Sequence, residues 1–402
     1  MKYADYLLKR LCTEENYTHC FFVAGGNIMH LLDSARKHFE CVPVIHEVAA
    51  GIAAEYFNET NENGKKAFAL VTAGPGLTNI VTAVAGAHLE SRELLVIGGQ
   101  VKMSDLKSPD IRQKGIQEID GKRIVEPITK SSIRLRSALP YSEIRKVLYS
   151  QKKPGPVFLE MPLDVQATEF TEEYKIVRYE DSQNYSDKEL TFFLHNLISE
   201  LKKCKRPVIL IGGGVHRSTA RKIASDLEKL TIPVMTTWNG MDRYTSEFSN
   251  YWGRPNTWGQ RSANILIQQS DLLVAIGTRL GLQQTGFAWE QFAPLAKIFQ
   301  VDIDPGEINK GHPKIESGLA TDANKFIEKF ALEVNSLQLD IEDWKTFGKK
   351  VIDYFPLNEP KNLTSREYIS PYIFAEKLSN ICNTQDSIIP CSSGGAFTTM
   401  MQ

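Results

Sequence analysis

Glu47 is the first residue in the chain around which a reaction can be built. It follows the apolar run Val42-Pro43-Val44-Ile45 and His46, and Val48, Ala49, Ile52, Ala53 and Tyr56 come after it at near-helical spacing. The run reads as a short buried strand, with Pro43 favouring an edge or a strand start. Glu47 then stands where a strand hands over to an Ala/Gly-rich helix, with few groups nearby to solvate a carboxylate. Burial favours the protonated form of a carboxyl group and suits proton transfer near neutral pH. An exposed acidic residue in a first helical turn, favoured by the helix dipole, accounts for the same local pattern.

Loops at other strand ends add hydrogen-bonding partners. Thr72-Ala73-Gly74-Pro75-Gly76-Leu77-Thr78-Asn79 follows a strand from Lys66 to Val71. Gly74 and Gly76 bracket Pro75 and leave this loop little freedom, while Thr72, Thr78 and Asn79 carry donors and acceptors. Gly25-Gly26 follows the strand Cys20-Phe21-Phe22-Val23, and Gly98-Gly99-Gln100 follows Leu94-Leu95-Val96-Ile97. A Gly-Gly turn admits close backbone approach by a ligand, or simply makes a tight connection; the full Gly-x-Gly-x-x-Gly spacing is lacking. Glycine-bearing strand ends on one carboxyl edge lie where open α/β sheets bind ligands.

The elements that position these loops alternate strand and helix, which predicts an α/β fold of tandem doubly wound parallel-sheet domains. Helices are expected from Ala4 to Cys12, Ile28 to Lys37 and Ile80 to Leu89. Lys102 to Lys122 reads as a mobile polar loop. Helices over Val125 to Ser131 and Tyr141 to Ser150 and a strand from Val157 to Pro162 close a first domain, 1–167. The charged stretch Thr168 to Asp187 reads as a linker. A central α/β domain over 186–335 has expected strands at Pro207 to Ile211, Pro233 to Thr237, Asp271 to Gly277 and Lys297 to Ile303. Gly212-Gly213-Gly214 could hold a dinucleotide phosphate at a helix N-terminus, or be a glycine-rich crossover without a ligand. Leu339 to Ser365 reads as a polar connector. From 366 to 402, a helix Tyr372 to Asn380, a strand Ser387-Ile388-Ile389 and the turn Cys391-Ser392-Ser393-Gly394-Gly395 begin a third domain. One strand and one helix cannot bury a core, so this domain is expected to be incomplete.

Composition narrows the class of partner. The 402 residues are 42% hydrophobic and 24% charged, with a formal net charge of -1. Nothing in that balance draws the chain to nucleic acid or anionic lipid. No apolar run approaches membrane-spanning length, and Met1-Lys2-Tyr3-Ala4-Asp5 lacks the apolar core of a signal peptide. The six cysteines form no Cys-x-x-Cys pair. Scattered thiols of this kind point to a reducing, cytoplasmic setting.

In order along the chain, Phe21-Phe22-Val23-Ala24-Gly25-Gly26, His46-Glu47, the Thr72 to Asn79 block, Gly99-Gln100-Val101, Gln117-Glu118 and Pro154-Gly155-Pro156-Val157 resemble the thiamine diphosphate-dependent 2-oxo acid decarboxylases and carboligases. The acetolactate synthase large subunit is the best-known member of similar pattern. Arg206-Pro207-Val208 before Gly212, Ser270-Asp271-Leu272-Leu273 before Gly277-Thr278-Arg279, and Val301-Asp302-Ile303-Asp304 look like the central domain of that family.

The resemblance implies thiamine diphosphate, bound across two domains and usually between two subunits, hence a homodimer or homotetramer. It implies that Glu47 bonds a nitrogen of the aminopyrimidine and promotes the imino form that activates the thiazolium carbon. It places Gly25 and Gly26 beside the reacting centre, and Thr72, Gly74 and Asn79 around the pyrimidine. Gln117 matches a substrate-facing glutamine, preceded here by Ile116 in place of the usual aromatic residue. Ser393, Gly394 and Gly395 match a first diphosphate-contacting turn. The Gly-Asp-Gly signature that holds magnesium occurs nowhere in these residues, so Mg2+ ligands are expected outside them and none within. FAD, through Gly212 to Gly214 and Arg279, is an open expectation, because Arg254-Pro255-Asn256 and Leu280-Gly281 depart from the flavin-binding pattern. The implied reaction is decarboxylation of pyruvate or a related 2-oxo acid, with transfer of the acyl unit to an acceptor. Acyl transfer to a nucleotide-linked keto-sugar and a non-catalytic nucleotide- or partner-binding module are the alternatives.

Overall fold

The apolar runs starting at Leu94, Val157, Val208 and Leu272 become fully buried parallel strands, as expected for sheets covered on both faces. The structure, a computed structural model, describes residues 1–61, 63–171, 187–335, 337–363, 367–383, 385–386 and 394–401. It divides into two units, Met1–Asp181 and Ser182–Gln402.

The first unit runs α1 (Tyr3–Glu15), β1 (Tyr17–Phe22), α2 (Met29–His38), β2 (Glu40–Pro43), α3 (Glu47–Thr60), β3 (Lys66–Val71), α4 (Pro75–Leu89) and β4 (Leu94–Gln100). It continues through α5 (Gly121–Val125), β5 (Ser131–Arg134), α6 (Tyr141–Leu148), β6 (Pro156–Pro162) and α7 (Leu163–Ala167). The strands form one sheet in the order β2-β1-β3-β4-β6-β5, with every pair parallel. Small residues dominate one side of the core: Ala50 and Ala54 of α3, Ala67, Ala69 and Val71 of β3, and Ala83, Val84 and Ala87 of α4. Their size lets α3 and α4 sit close to the sheet and to each other.

The second unit contains α8 (Asp187–Leu201), β7 (Pro207–Ile211), α9 (Arg217–Lys229), β8 (Val234–Thr236), α10 (Arg261–Gln269), β9 (Leu272–Ile276), α11 (Leu282–Thr285), β10 (Lys297–Asp302), α12 (Pro305–Asn309) and β11 (Ser317–Ala320). Helices α13 (Ala323–Val334), α14 (Glu342–Tyr354), α15 (Pro371–Ile381) and α16 (Gly395–Met401) follow. The sheet order is β11-β10-β9-β7-β8, all parallel. Among the described residues, no helix is long and apolar enough to cross a membrane.

Four expectations need correction. The run Val42 to Ile45 is not a buried strand: β2 is a partly exposed edge strand, and Ile45 is fully exposed. Val125 to Ser131 is not one helix. Pro127 limits it to a single 3-10 turn, Glu126–Ile128, and Ser131 then enters β5, which its pairing with β6 holds in place. Leu339 to Ser365 is not only a connector. Trp344, Gly348 and Val351 make a buried stripe on α14, where Trp344 Nε1 donates to the Pro207 carbonyl at 3.1 Å. Lys102 to Lys122 is irregular but tied down, as described below. The expected strand at Ser387 to Ile389 and most of the expected linker lie outside the described residues.

Candidate functional site

Two helix starts meet at Glu47. His46 caps α3 in extended conformation (φ -154, ψ 142), and its Nδ1 accepts from Val48 N. Glu47 is the first residue of the helix and is 7% exposed. Helix α4 starts after Gly74, whose φ of +66 favours glycine, with Pro75 in its first turn. That start aims Asn79 at α3, and Asn79 Nδ2 donates to Glu47 Oε2 at 2.9 Å. One turn further along both helices, a Cβ on Gly51 would stand 2.4 Å from Ala83 Cβ. The near-contact at Gly51 therefore sets the separation at which Asn79 reaches the carboxylate.

The other carboxylate oxygen, Oε1, accepts no hydrogen bond among the described residues, and a Cβ on Gly76 would lie 3.3 Å from it. Thr72 Oγ1 is buried with no partner among the described residues. Gly25 and Gly76 close in on the Thr72 side chain, where added Cβ atoms would come within 2.4 and 2.8 Å. A half-used carboxylate and an unused buried hydroxyl thus share a glycine-backed corner at the carboxyl ends of β1 and β3. Gly76 was legible in the Gly-Pro-Gly block but was not among the expected site residues.

Gln117, exposed in the loop after β4, packs its backbone against Gly74 at the start of α4. It has a φ of +60, and a Cβ on Gly74 would stand 2.7 Å from its carbonyl oxygen. The loop is held by Glu118, whose carboxylate accepts from Lys107 N (2.7 Å), Lys114 N (3.0 Å) and Gly115 N (2.9 Å). Burial works against the charged form of Glu118, but these three backbone donors outweigh it and hold the carboxyl below its ordinary value. Gln100 Nε2 adds bonds to Ile119 O and to Glu160 Oε1. Glu160 is completely buried and paired with Arg134. The expectation of mobility missed Glu118, because one carboxylate turning back on its own loop leaves no periodic signal.

Gly26 is brought to the site only in part. It is exposed, and a Cβ there would meet nothing within 4 Å. Ser393 lies outside the described residues, and Gly394 and Gly395 are exposed at the start of α16. In the second unit, Gly212 and Gly214 give their amides to Ile276 O (2.9 Å) and Gly277 O (3.0 Å). A Cβ on Gly212 would stand 2.2 Å from Gly277 O. These two glycines let the chain after β7 touch the end of β9, with both amides bonded to backbone carbonyls. Arg279 is exposed nearby. At the end of β10, burial pushes the Asp302 carboxyl from 3.8 up to about 6, against the bond from Asp304 N and the Arg279 charge. Thr321 Oγ1, one residue past β11, is buried without a partner among the described residues. Among the described residues, no three His, Cys, Asp or Glu side chains cluster as a metal site.

Two parallel α/β sheets, with a carboxylate bonded by an amide from the neighbouring helix, describe a cofactor-binding enzyme scaffold. Residues 1–124 match the thiamine pyrophosphate enzyme N-terminal TPP binding domain, and residues 194–330 match the thiamine pyrophosphate enzyme central domain. The chain belongs to the thiamine pyrophosphate enzyme family. It is similar to the "Probable acetolactate synthase large subunit" of Methanocaldococcus jannaschii, 31% identical over 96% of this chain and 65% of the relative. It is also similar to the "Acetolactate synthase large subunit" of Haemophilus influenzae, 29% identical over 82% of this chain and 58% of the relative. A third relative is the "Acetolactate synthase isozyme 1 large subunit" of Escherichia coli, 31% identical over 72% of this chain and 50% of the relative. The chain thus spans half to two-thirds of the length of these curated relatives.

Proposed function

We propose that the protein is a thiamine diphosphate-dependent enzyme that decarboxylates pyruvate or a related 2-oxo acid and passes the acyl unit to an acceptor, as the relatives' name denotes. The observation that carries this reading is the Glu47–Asn79 pair, in which Asn79 holds one carboxylate oxygen at 2.9 Å and leaves the other for a ligand. The corner fits the aminopyrimidine half of the cofactor. Glu47 Oε1 can share a proton with a ring nitrogen, and the unpaired Thr72 hydroxyl can bond a polar edge. Glycines at 25 and 76 keep side chains out of that space. Asn79 fixes the carboxylate's orientation, so that proton sharing needs no rearrangement. When bound, the cofactor supplies the electron sink for loss of carbon dioxide. Gln117, placed against Gly74, is assigned to the substrate side. The diphosphate turn at Ser393 to Gly395, magnesium ligands outside these residues, and assembly between subunits complete the reading. The proposal does not depend on FAD; the Gly212 and Gly214 amides bond the carbonyls of Ile276 and Gly277.

The test is carbon dioxide release from pyruvate by the complete protein with thiamine diphosphate and magnesium, comparing wild type with Glu47→Gln. Release should fall by roughly 10²–10⁴-fold, the usual worth of a positioned proton-transfer group. Equal release by the two proteins would refute the role of Glu47. No release from a panel of 2-oxo acids would refute the reaction class. Product analysis with 2-oxo acid and keto-sugar acceptors then identifies the acceptor.

A further inference from the structure

The sequence scatters its cysteines, but the fold brings two of them together. β1 and β2 pair in parallel with Cys20 opposite Cys41, and in the preceding pair His19 Nε2 lies 3.1 Å from Glu40 Oε2 and pins the register. Register partners on parallel strands present their side chains on the same face of the sheet. Cys20 is completely buried, whereas Cys41, on the edge strand, is partly open to solvent.

We propose that Cys20 and Cys41 form an oxidisable dithiol that exchanges with small-molecule disulfides and closes a covalent bond between β1 and β2. Cys20 belongs to the core cluster on this side of the sheet, and Cys41 packs against the same cluster. The neighbouring Cys41 thiol, with burial, pushes the Cys20 thiol well up, and Cys20 in turn brings Cys41 down to about 7. Cys41 is thus the attacking thiolate and Cys20 the resolving thiol. Cys41 attacks one sulfur of glutathione disulfide, forms a mixed disulfide and releases one glutathione thiolate, which takes up a proton. Cys20 then gives up its proton and attacks the Cys41 sulfur, releasing the second glutathione. Two protein thiols are oxidised and one small disulfide is reduced to two thiols.

Neighbouring strands lie about 4.8 Å apart, within the roughly 4.4–6.8 Å Cα separation that a disulfide spans, so the bond can close with β1 and β2 kept in register. Only Val44, Ile45 and His46 separate β2 from Glu47. An effect of the bond on catalysis would rest on the role proposed for Glu47; the bond itself does not.

The experiment equilibrates the native chain with glutathione disulfide, quenches with acid and maps cross-linked peptides by mass spectrometry. The expected result is a Cys20–Cys41 peptide that disappears in Cys41→Ser, while Cys20→Ser keeps a stable glutathione adduct on Cys41. In a neutral-pH iodoacetamide pulse, Cys41 should react about ten-fold or more faster than Cys204, whose thiol burial pushes up to about 12. Absence of the linked peptide at saturating glutathione disulfide would overturn the proposal, as would a link from Cys41 to Cys12 instead. The wild-type map decides even if a serine variant fails to fold.

Discussion

Gly51→Ala tests the packing that places Glu47. The added Cβ would stand 2.4 Å from Ala83 Cβ and 3.2 Å from Ile80 Cγ1. Carbon atoms rest at roughly 3.5–4.0 Å, so α4 must retreat from α3 by about 1 Å. The same retreat stretches the 2.9 Å Asn79–Glu47 bond to nearly 4 Å, beyond hydrogen-bonding reach. Overpacking costs about 1–3 kcal/mol, and replacing a mid-helix glycine returns about 0.5–1 kcal/mol. The net expectation is a loss of about 1–2 kcal/mol. Gly86→Ala is the control: it lies in α4, and a Cβ there meets nothing within 4 Å, so only the helix gain of about 0.5–1 kcal/mol remains. All five tryptophans lie in the second unit, so urea unfolding of the first is followed by alkylation of the buried Cys20. Opposite signs for the two substitutions are predicted. Equal signs, or a Gly51→Ala midpoint matching wild type, would refute the close-packing account.

Three further predictions concern buried carboxylates. Glu118→Gln should raise hydrogen exchange at the Lys107, Lys114 and Gly115 amides. In wild type, the folded carboxyl lies below its ordinary 4.5, so the tether is intact above pH 4.5 and is lost as pH falls through the lower folded value. Arg134→Ala should destabilise the first unit by about 3–5 kcal/mol, because it leaves the fully buried Glu160 without its cation. Burial raises Glu160 against the pull of Arg134, so that cost should shrink in acid as Glu160 takes up a proton. Asp302 has its folded value raised from 3.8 to about 6. Its contribution is therefore present below pH 3.8 and lost as pH rises through about 6. Asp302→Asn should stabilise the second unit at pH 8 by at most about 3 kcal/mol, with little effect at pH 4, read by tryptophan fluorescence in urea.

Much of the site was legible because its chemistry sits in short local blocks. Glu47 and Gly74 each stand at a strand-to-helix junction, where apolar periodicity switches between period two and helical spacing, and Asn79 follows one turn into α4. What that pattern could not carry was contact between blocks. Nothing local to residue 51 announces Ala83, and nothing near Thr72 says that Gly25 will close over it. Cys20 and Cys41 looked scattered until parallel pairing placed them side by side. β5 escaped notice because Ser131-Ser132-Ile133-Arg134 has little apolar content and exists by pairing with β6. Gly212 to Gly214 offered two readings to the sequence, and the bonds of two of their amides to the β9 loop favour the crossover.

In the function proposed above, Glu47 presents a carboxylate to the aminopyrimidine of thiamine diphosphate. Exchange of the thiazolium C2 proton with deuterium, followed by NMR on the complete protein with magnesium, isolates that role because no substrate is needed. Exchange should be fast in wild type and fall by roughly 10²–10⁴-fold in Glu47→Gln, the ordinary scale of proton-transfer catalysis. Equally fast exchange in the variant, with the cofactor bound, would remove Glu47 from the activation step.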